Sequence, residues 1–396
     1  MKISRRAQAI TPFLAMEFGK RAEALELAGQ RVIRLNIGEP DFGAPPAVID
    51  AMRAQMDGRA QAYTQALGLP ALRAAIAGFY ATVHGVQVDP GQVVVTAGAS
   101  AALLLVAAAL VDPGDRVLVA DPSYPCNRHF LAGFGADVAL VPTNAASRFQ
   151  LDTSLVEAHW TAATRGVLIA SPSNPTGTSV QPDQLQAICA WVAARDGWRV
   201  VDEIYLNLAD RDATGAAAQT VLAHDPGAVV INSFSKTFGM TGWRLGWCIA
   251  PPALMPALER LAQNYYICPS VPAQNAALAC FTPETLALCE QRRQELKARR
   301  DLVLQGLTRL NLPVPVPPDG AFYIYFDVAS TGLDALRFCE RALEEAGVAL
   351  TPGADFGHCS ASTHVRLSYA TARSDLSEGL QRLERWLAGM RPDAPG

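Results

Sequence analysis

Among the 33 lysine and arginine residues of this chain, only four are lysines: Lys2, Lys20, Lys236 and Lys297. Lys2 stands at a terminus, and Lys20 and Lys297 stand among other charges, where a solvated ammonium is the ordinary outcome. Lys236 is different. It lies in "SFSKTFGMTGWRLGW" (233–247), among aromatics and glycines, with Ser233, Ser235 and Arg244 as polar company. A lysine amine condenses with an aldehyde to a Schiff base, which a guanidinium does not usefully do. A lysine in apolar company, in a chain that otherwise uses arginine, points to amine chemistry. The bland alternative is a stem that carries its ammonium out to water.

The elements that must position this lysine are legible on either side of it. Between residues 90 and 250, short β-branched runs alternate with helical stretches: "QVVVTAG", "RVLVADP", "RGVLIASP", "WRVVDE", "AVVINSFS" and "LGWCIAP". Apolar runs of this length ending in polar or turn residues are the mark of buried parallel strands, and the helical connections fit crossover units. The last run, from Leu245, comes after its predecessor by only about ten residues, short for a parallel crossover, so an antiparallel strand is expected. After Pro283 the pattern changes to a long charge-laced helix, a proline-dense stretch, the strand "AFYIYFDV", a helix near Leu333–Ala346, the strand "HVRLSYA" and a closing helix. The expected fold is α/β. A large domain (46–283) holds a mostly parallel mixed sheet flanked by helices, and a smaller α/β domain comprises 1–45 and 284–396.

In open α/β sheets ligands bind beyond the carboxyl ends of the strands. There the sequence places Gly98-Ala99-Ser100 before a helix, Tyr124 in "DPSYP", Asn174 in "SPSNPTG", Asp202 with Tyr205 after "WRVV", and Ser233, Ser235 and Lys236. Each alone also suits an ordinary role: an N-cap, a turn, a packing tyrosine. Together they fit pyridoxal phosphate. Lys236 would carry the aldehyde, and Asp202 would face the ring nitrogen and keep it protonated. The helix start at 98–100, with Ser233, Ser235 and Arg244, would take the phosphate. Tyr124 offers a face to the ring, and Tyr205 and Asn174 offer donors to the ring oxygen.

This order of motifs, closing with Ser233-x-Ser-Lys236 and Arg244, resembles the class I/II pyridoxal-phosphate aminotransferases of the aspartate aminotransferase fold, fold type I among enzymes of that cofactor. "LNIGEPDF" (35–42), "AYTQALGLPALRAAIAGFY" (62–80), "PPDGAFYIYFDV" and "HVRLSYA" extend the likeness over nearly the whole chain. The resemblance implies that Arg366 grips the substrate α-carboxylate, with Gly38 and Asn174 beside it. It implies that Tyr63 reaches the cofactor phosphate of a neighbouring subunit, hence a homodimer with shared active sites. It also implies ping-pong exchange of an amino group between an L-amino acid and a 2-oxo acid. Lys236 and Asp202, with Tyr205, would be the catalytic residues.

The remaining features narrow the field. A net charge of −4 gives no nucleic-acid footprint and no polybasic membrane patch. Eight cysteines without a C-x-x-C read as reduced thiols, and with no leader-like run near the start a soluble cytoplasmic protein is expected. The scattered histidines, His358 and His364 included, offer no metal set. No G-x-G-x-x-G or P-loop stands after a strand, which sets aside a plain nucleotide enzyme. A carbon–sulfur β-lyase of the same fold is the nearest rival. An effector-sensing regulator fits poorly with a retained Lys236 and Arg366. "AITPFLAMEF", with Phe13, Met16 and Phe18, favours neutral or apolar donors alongside glutamate and 2-oxoglutarate. Aspartate stays open, since the subgroup this chain resembles is often read that way; Arg5, Arg6, Lys20 and Arg128 are the cations a second carboxylate could use, though the sequence does not place them.

Overall fold

The computed structural model describes residues 1–390. Helix α1 (Leu14–Leu27) and the short strand β1 (Ile33–Arg34) open the chain. Strand β2 (Val93–Thr96) leads into helix α2 (Ala99–Leu110). Strands β3 (Arg116–Asp121), β4 (Asp137–Pro142), β5 (Thr164–Ala170), β6 (Trp198–Asp202), β7 (Val229–Ser233) and β8 (Gly246–Ile249) complete a seven-stranded sheet ordered β2-β8-β7-β6-β5-β3-β4. Strand β8 is antiparallel to both neighbours, as its short connection requires.

Side chains alternate across a strand, and both faces of this sheet are covered. Val95, Ile169, Val201 and Val230 pack on one side with Ile76, Phe79 and Ile188. Val94, Leu168, Val200 and Ile231 pack on the other with Leu103 and Leu258. Every residue of β2, β7 and β8 is buried. Each buried Val or Ile among them contributes roughly 1.5–3 kcal/mol by leaving water, which holds the strands that carry the loops at their ends. Strand β4, with the apolar run Val138–Val141, is not among the strands expected from the sequence. It is one of the two edge strands, and its apolar residues sit between an exposed Asp137 and an exposed Pro142.

The long helix α3 (Pro283–Arg309) starts at Thr282, whose hydroxyl accepts from Thr285 N at 3.3 Å, with Pro283 in the first turn. Beyond it come strand β9 (Tyr323–Asp327), helix α4 (Ala335–Ala346), strands β10 (Val348–Ala349), β11 (Thr351–Pro352) and β12 (His364–Ser368), and helix α5 (Arg373–Gly389). Strands β11, β12 and β9 form an antiparallel sheet, and β1 pairs parallel with β10. Phe18, Ala22, Ile33 and Leu35 share a core with Phe338, Leu343 and Val348, so the N-terminal segment packs with the C-terminal one. No helix among the described residues is long and apolar enough to cross a membrane.

Candidate active site

All strands of the large sheet but β8 run one way, so β2, β3, β5, β6 and β7 deliver their carboxyl ends to one edge. Strand β8 runs the other way and starts at that edge, which is why Arg244, just before it, arrives there too. A cleft of about 830 Å³ opens at this edge. Ala99, Ser100, Tyr124, Asn174, Asp202, Tyr205, Ser233, Ser235, Lys236 and Arg244 all line it, and Gly38 and Arg366 close it from the other side. Tyr63 lies outside the cleft, 76% exposed.

Lys236 is carried on a turn that cannot easily move. Ser233 Oγ accepts from Ser235 N at 3.0 Å and donates to Leu245 O at 3.3 Å. Phe234 anchors the turn against Trp247 and Phe238, with ring centroids 4.8 and 5.6 Å away. Lys236 Nζ donates to Gly38 O at 2.7 Å and lies near the rings of Tyr205 and Phe322. Loss of hydration pushes its pKa down to about 8, and the Arg366 and Arg244 cations act in the same direction while Glu39 opposes them.

Asp202 ends β6 and is 4% exposed. It accepts from Ile204 N at 3.2 Å. Burial pushes its carboxyl up to about 7, against the Ile204 amide and Lys236, which favour the charged form. Tyr205 and Tyr124 are phenols that burial keeps protonated. At the other end of the cleft, α2 starts without a side-chain cap, so its first amides are free. Gly98 precedes it at φ +89°, and a Cβ there would stand 2.6 Å from Arg244 Nη2. Arg244 Nη1 donates to Thr241 O at 2.9 Å. Glycine is the residue that lets the guanidinium come this close to the helix start.

Arg366, on β12, is 2% exposed. Its hydrogen-bond partners are all neutral: Nη1 donates to Asn174 Oδ1 at 2.8 Å, and Nη2 to Asn36 O at 2.8 Å and Thr351 Oγ1 at 3.3 Å. Its buried Nε has no partner among the described residues. The rings of Tyr323 and Phe356 flank the guanidinium at 4.6 and 4.9 Å. A buried cation without a counter-charge is costly unless an anion joins it, and a carboxylate suits its planar fork.

Sequence reasoning missed the residues that support these groups. Tyr323 lines the cleft from β9, and its hydroxyl lies 3.0 Å from that of Tyr205. Asp355 accepts from Leu14 N at 2.8 Å and Ala15 N at 3.0 Å, capping the first turn of α1 with both oxygens. Asp121, at the end of β3, accepts from His358 N at 3.0 Å and Cys359 N at 3.2 Å. A side chain at Gly357 would collide with that carboxylate. None of these has a local sequence signal, because each acts on a segment far away in the chain.

One wall of the cleft is apolar, built from Phe13, Ala15, Met16 and Ile37. Phe13 meets Tyr124 edge-on at 6.0 Å. The cations on this side are engaged: Lys20 by Glu17 at 2.8 Å, and Arg34 Nε by Glu26 at 3.1 Å. Arg128 donates to Asp355 O at 3.3 Å and does not line the cleft. Arg5 and Arg6 are exposed on a separate short helix.

The profile of the family described as "Aminotransferase class I and II" matches residues 30–383. A valine–pyruvate aminotransferase of Mycobacterium tuberculosis is 40% identical, over 96% of this chain and 97% of that protein. An aspartate/prephenate aminotransferase of Thermus thermophilus is 35% identical, over 97% of this chain and 98% of its own length. The crystal structure of an aminotransferase from M. tuberculosis superposes with a TM-score of 0.94 at 38% identity, covering 98% of this chain and 100% of that one.

Proposed function

This chain belongs to the class I and II aminotransferase family, and on that premise we propose that it holds pyridoxal phosphate on Lys236 and transfers the amino group of a neutral, apolar L-amino acid to a 2-oxo acid. The carrying observation is that one cleft holds a buried amine of lowered pKa, a buried carboxyl and a buried guanidinium whose hydrogen-bond partners are all neutral.

The residues fit that cofactor. The glycine that admits Arg244 to the uncapped start of α2 leaves a cradle of amide and guanidinium donors, the chemistry a phosphate requires. Asp202, which burial alone holds near neutrality, regains its charge opposite a protonated pyridine nitrogen. Once the substrate amine has taken the place of Lys236 and set its Nζ free, pyridoxal phosphate would supply an electron sink for the pair left behind when the substrate Cα proton departs. The chain's own groups do the rest. Arg366 takes the α-carboxylate through its fork and so fixes where Cα lies. Lys236 Nζ, with a pKa of about 8, removes that proton and returns it, a base matched to neutral pH. Tyr205 and Asn174 would donate to the ring oxygen, and Ser233 and Ser235, on the turn that carries Lys236, would hold the phosphate end.

The donor class derives from the wall of Phe13, Ala15, Met16 and Ile37 and from the engagement of Lys20 and Arg34 by carboxylates. Among the described residues, no cation on that wall is left over to meet a second substrate carboxylate. The relative named for valine and pyruvate supports the same class. The same reading divides the chain into a large unit, 46–283, and a small one, 1–45 with 284–396. It assigns the exposed Tyr63 to the cofactor phosphate of a second copy in a homodimer, and it sets the enzyme in the cytoplasm, as eight free cysteines favour.

The test is a spectral titration of holoenzyme with valine, alanine, phenylalanine and aspartate. Apolar donors should convert the aldehyde chromophore to the amine form with kcat/KM about tenfold or more above aspartate, the worth of one uncompensated charge. Aspartate as the leading donor would overturn the substrate class. With cystathionine, which carries a thiolate leaving group on Cβ, release of pyruvate and ammonia without the amine form would replace transfer by elimination.

A further inference from the structure

Tyr323 comes from the smaller sheet, yet it stands among the groups assigned to the reaction. Its side chain is 1% exposed. Its hydroxyl lies 3.0 Å from Tyr205 Oη, and the two rings meet edge-on with centroids 5.7 Å apart. The guanidinium carbon of Arg366 lies 4.6 Å from its ring centroid. A Cβ at residue 38 would come 2.7 Å from Tyr323 Oη, so only glycine fits there, and Gly38 O is the acceptor for Lys236 Nζ. One phenol therefore touches Tyr205, Arg366 and the backbone that holds the lysine.

Two hydroxyls at 3.0 Å share one hydrogen bond: one donates, and the other keeps a proton for a different acceptor. The Arg366 cation over the Tyr323 ring favours proton donation from Tyr323 rather than to it. The cation nearest the Tyr205 ring, the Lys236 amine, lies farther off, at 5.7 Å. The bond is thus polarised from Tyr323 toward Tyr205.

We propose that Tyr323 is the positioning residue for Tyr205: its hydroxyl donates to Tyr205 Oη, which aims the Tyr205 proton into the cleft and strengthens it as a donor to the ring oxygen of the bound cofactor. The ring of Tyr323 has a separate duty, as a platform under Arg366. The inference rests on the proposal that pyridoxal phosphate occupies this cleft. A hydrogen bond to that ring oxygen lowers the basicity of the nitrogen–oxygen pair formed with Lys236, so weakening it raises the pH at which the visible band of the holoenzyme titrates.

Tyr323→Phe separates the two duties, since it deletes one oxygen and keeps the ring. In holoenzyme its midpoint should rise by roughly 0.5–1 pH unit, the size of one hydrogen bond, with kcat reduced about three- to tenfold and KM for the donor unchanged. Tyr323→Leu removes the platform too and should raise KM about tenfold in addition. On a Tyr205→Phe background, Tyr323→Phe should add no further midpoint shift, because the relay has already lost its end. A Tyr323→Phe midpoint equal to wild type, or the same shift with and without Tyr205, would overturn the proposal. A wild-type protein that takes up no pyridoxal phosphate, or whose band does not titrate, defeats the cofactor reading instead. A role limited to packing would lower the melting temperature of Tyr323→Phe and leave the midpoint where it was.

Discussion

Replacing Arg366 by lysine keeps the charge and removes the fork. In the wild type the guanidinium gives one nitrogen to Asn174 and one to Asn36 and Thr351, with Nε unpartnered among the described residues and the rings of Tyr323 and Phe356 packed close by. A lysine ammonium has three donors at a single point. Satisfying Asn174 Oδ1 and Asn36 O would leave it one donor for a substrate carboxylate where arginine offers a planar edge. The loss is one charge-assisted hydrogen bond, about 1.5–3 kcal/mol, which lowers kcat/KM by about 10- to 150-fold. The assay is single-turnover conversion of the holoenzyme chromophore with alanine and with ethylamine, which lacks the carboxylate. The variant should lose activity toward alanine and keep whatever it has toward ethylamine. Equal losses on both, or a loss under about threefold on alanine, would refute the assignment of Arg366 to the carboxylate.

Lys236→Ala should remove the visible band of the lysine-linked cofactor and reduce turnover by several orders of magnitude, measured by absorbance and by single turnover; an active variant refutes the assignment. Asp202→Asn should keep cofactor but lose most of the rate, because a neutral amide no longer holds the ring nitrogen protonated. The same variant has a pH signature without cofactor. The Asp202 carboxyl titrates near 7 in the fold and near 3.9 in the unfolded chain, so stability present below about pH 4 is lost progressively as pH rises through about 7. Apoprotein melting curves should therefore fall less steeply over that window for Asp202→Asn, and parallel curves would count against the raised pKa. Gly98→Ala puts a methyl group 2.6 Å from Arg244 Nη2 at a φ of +89°. It should weaken pyridoxal phosphate binding about tenfold in a cofactor titration, with a lowered melting temperature from left-handed strain; unchanged affinity would remove the phosphate from this end.

What could be read from the chain and what could not divide along a physical line. Asp202, Tyr205, Ser233 and Lys236 lie at the ends of strands whose apolar runs are visible, so their convergence is a consequence of the parallel order alone. Arg244 needed the antiparallel β8, which the short connection announced. Tyr323, Asn36 and Asp355 had no such marker. Asp355 caps a helix 341 residues away in the chain, and Arg366 meets Asn36 over 330 residues. Contacts of that range are settled by how the two sheets pack, which no window of sequence contains. Strand β4 was passed over although Val138–Val141 is a continuous apolar run; it lies at one edge of the sheet, where of its six residues only Val141 is buried.

The loop after β11 has a consequence for substrate length. The short stretch from Thr351 to Cys359 supplies Thr351 to Arg366, Asp355 to the first turn of α1, and Phe356 to the other face of Arg366, and Asp121 holds its far end at β3. In the proposed reading Arg366 meets one end of the substrate, while Phe13, Ala15 and Met16 at the start of α1 meet the other. A single short loop thus acts as a gauge block between the two jaws. Displacing it would disturb the supports of both jaws at once. The gap is changed by the bulk of residues 13 and 16, and those are the positions at which longer or shorter donors would be gained.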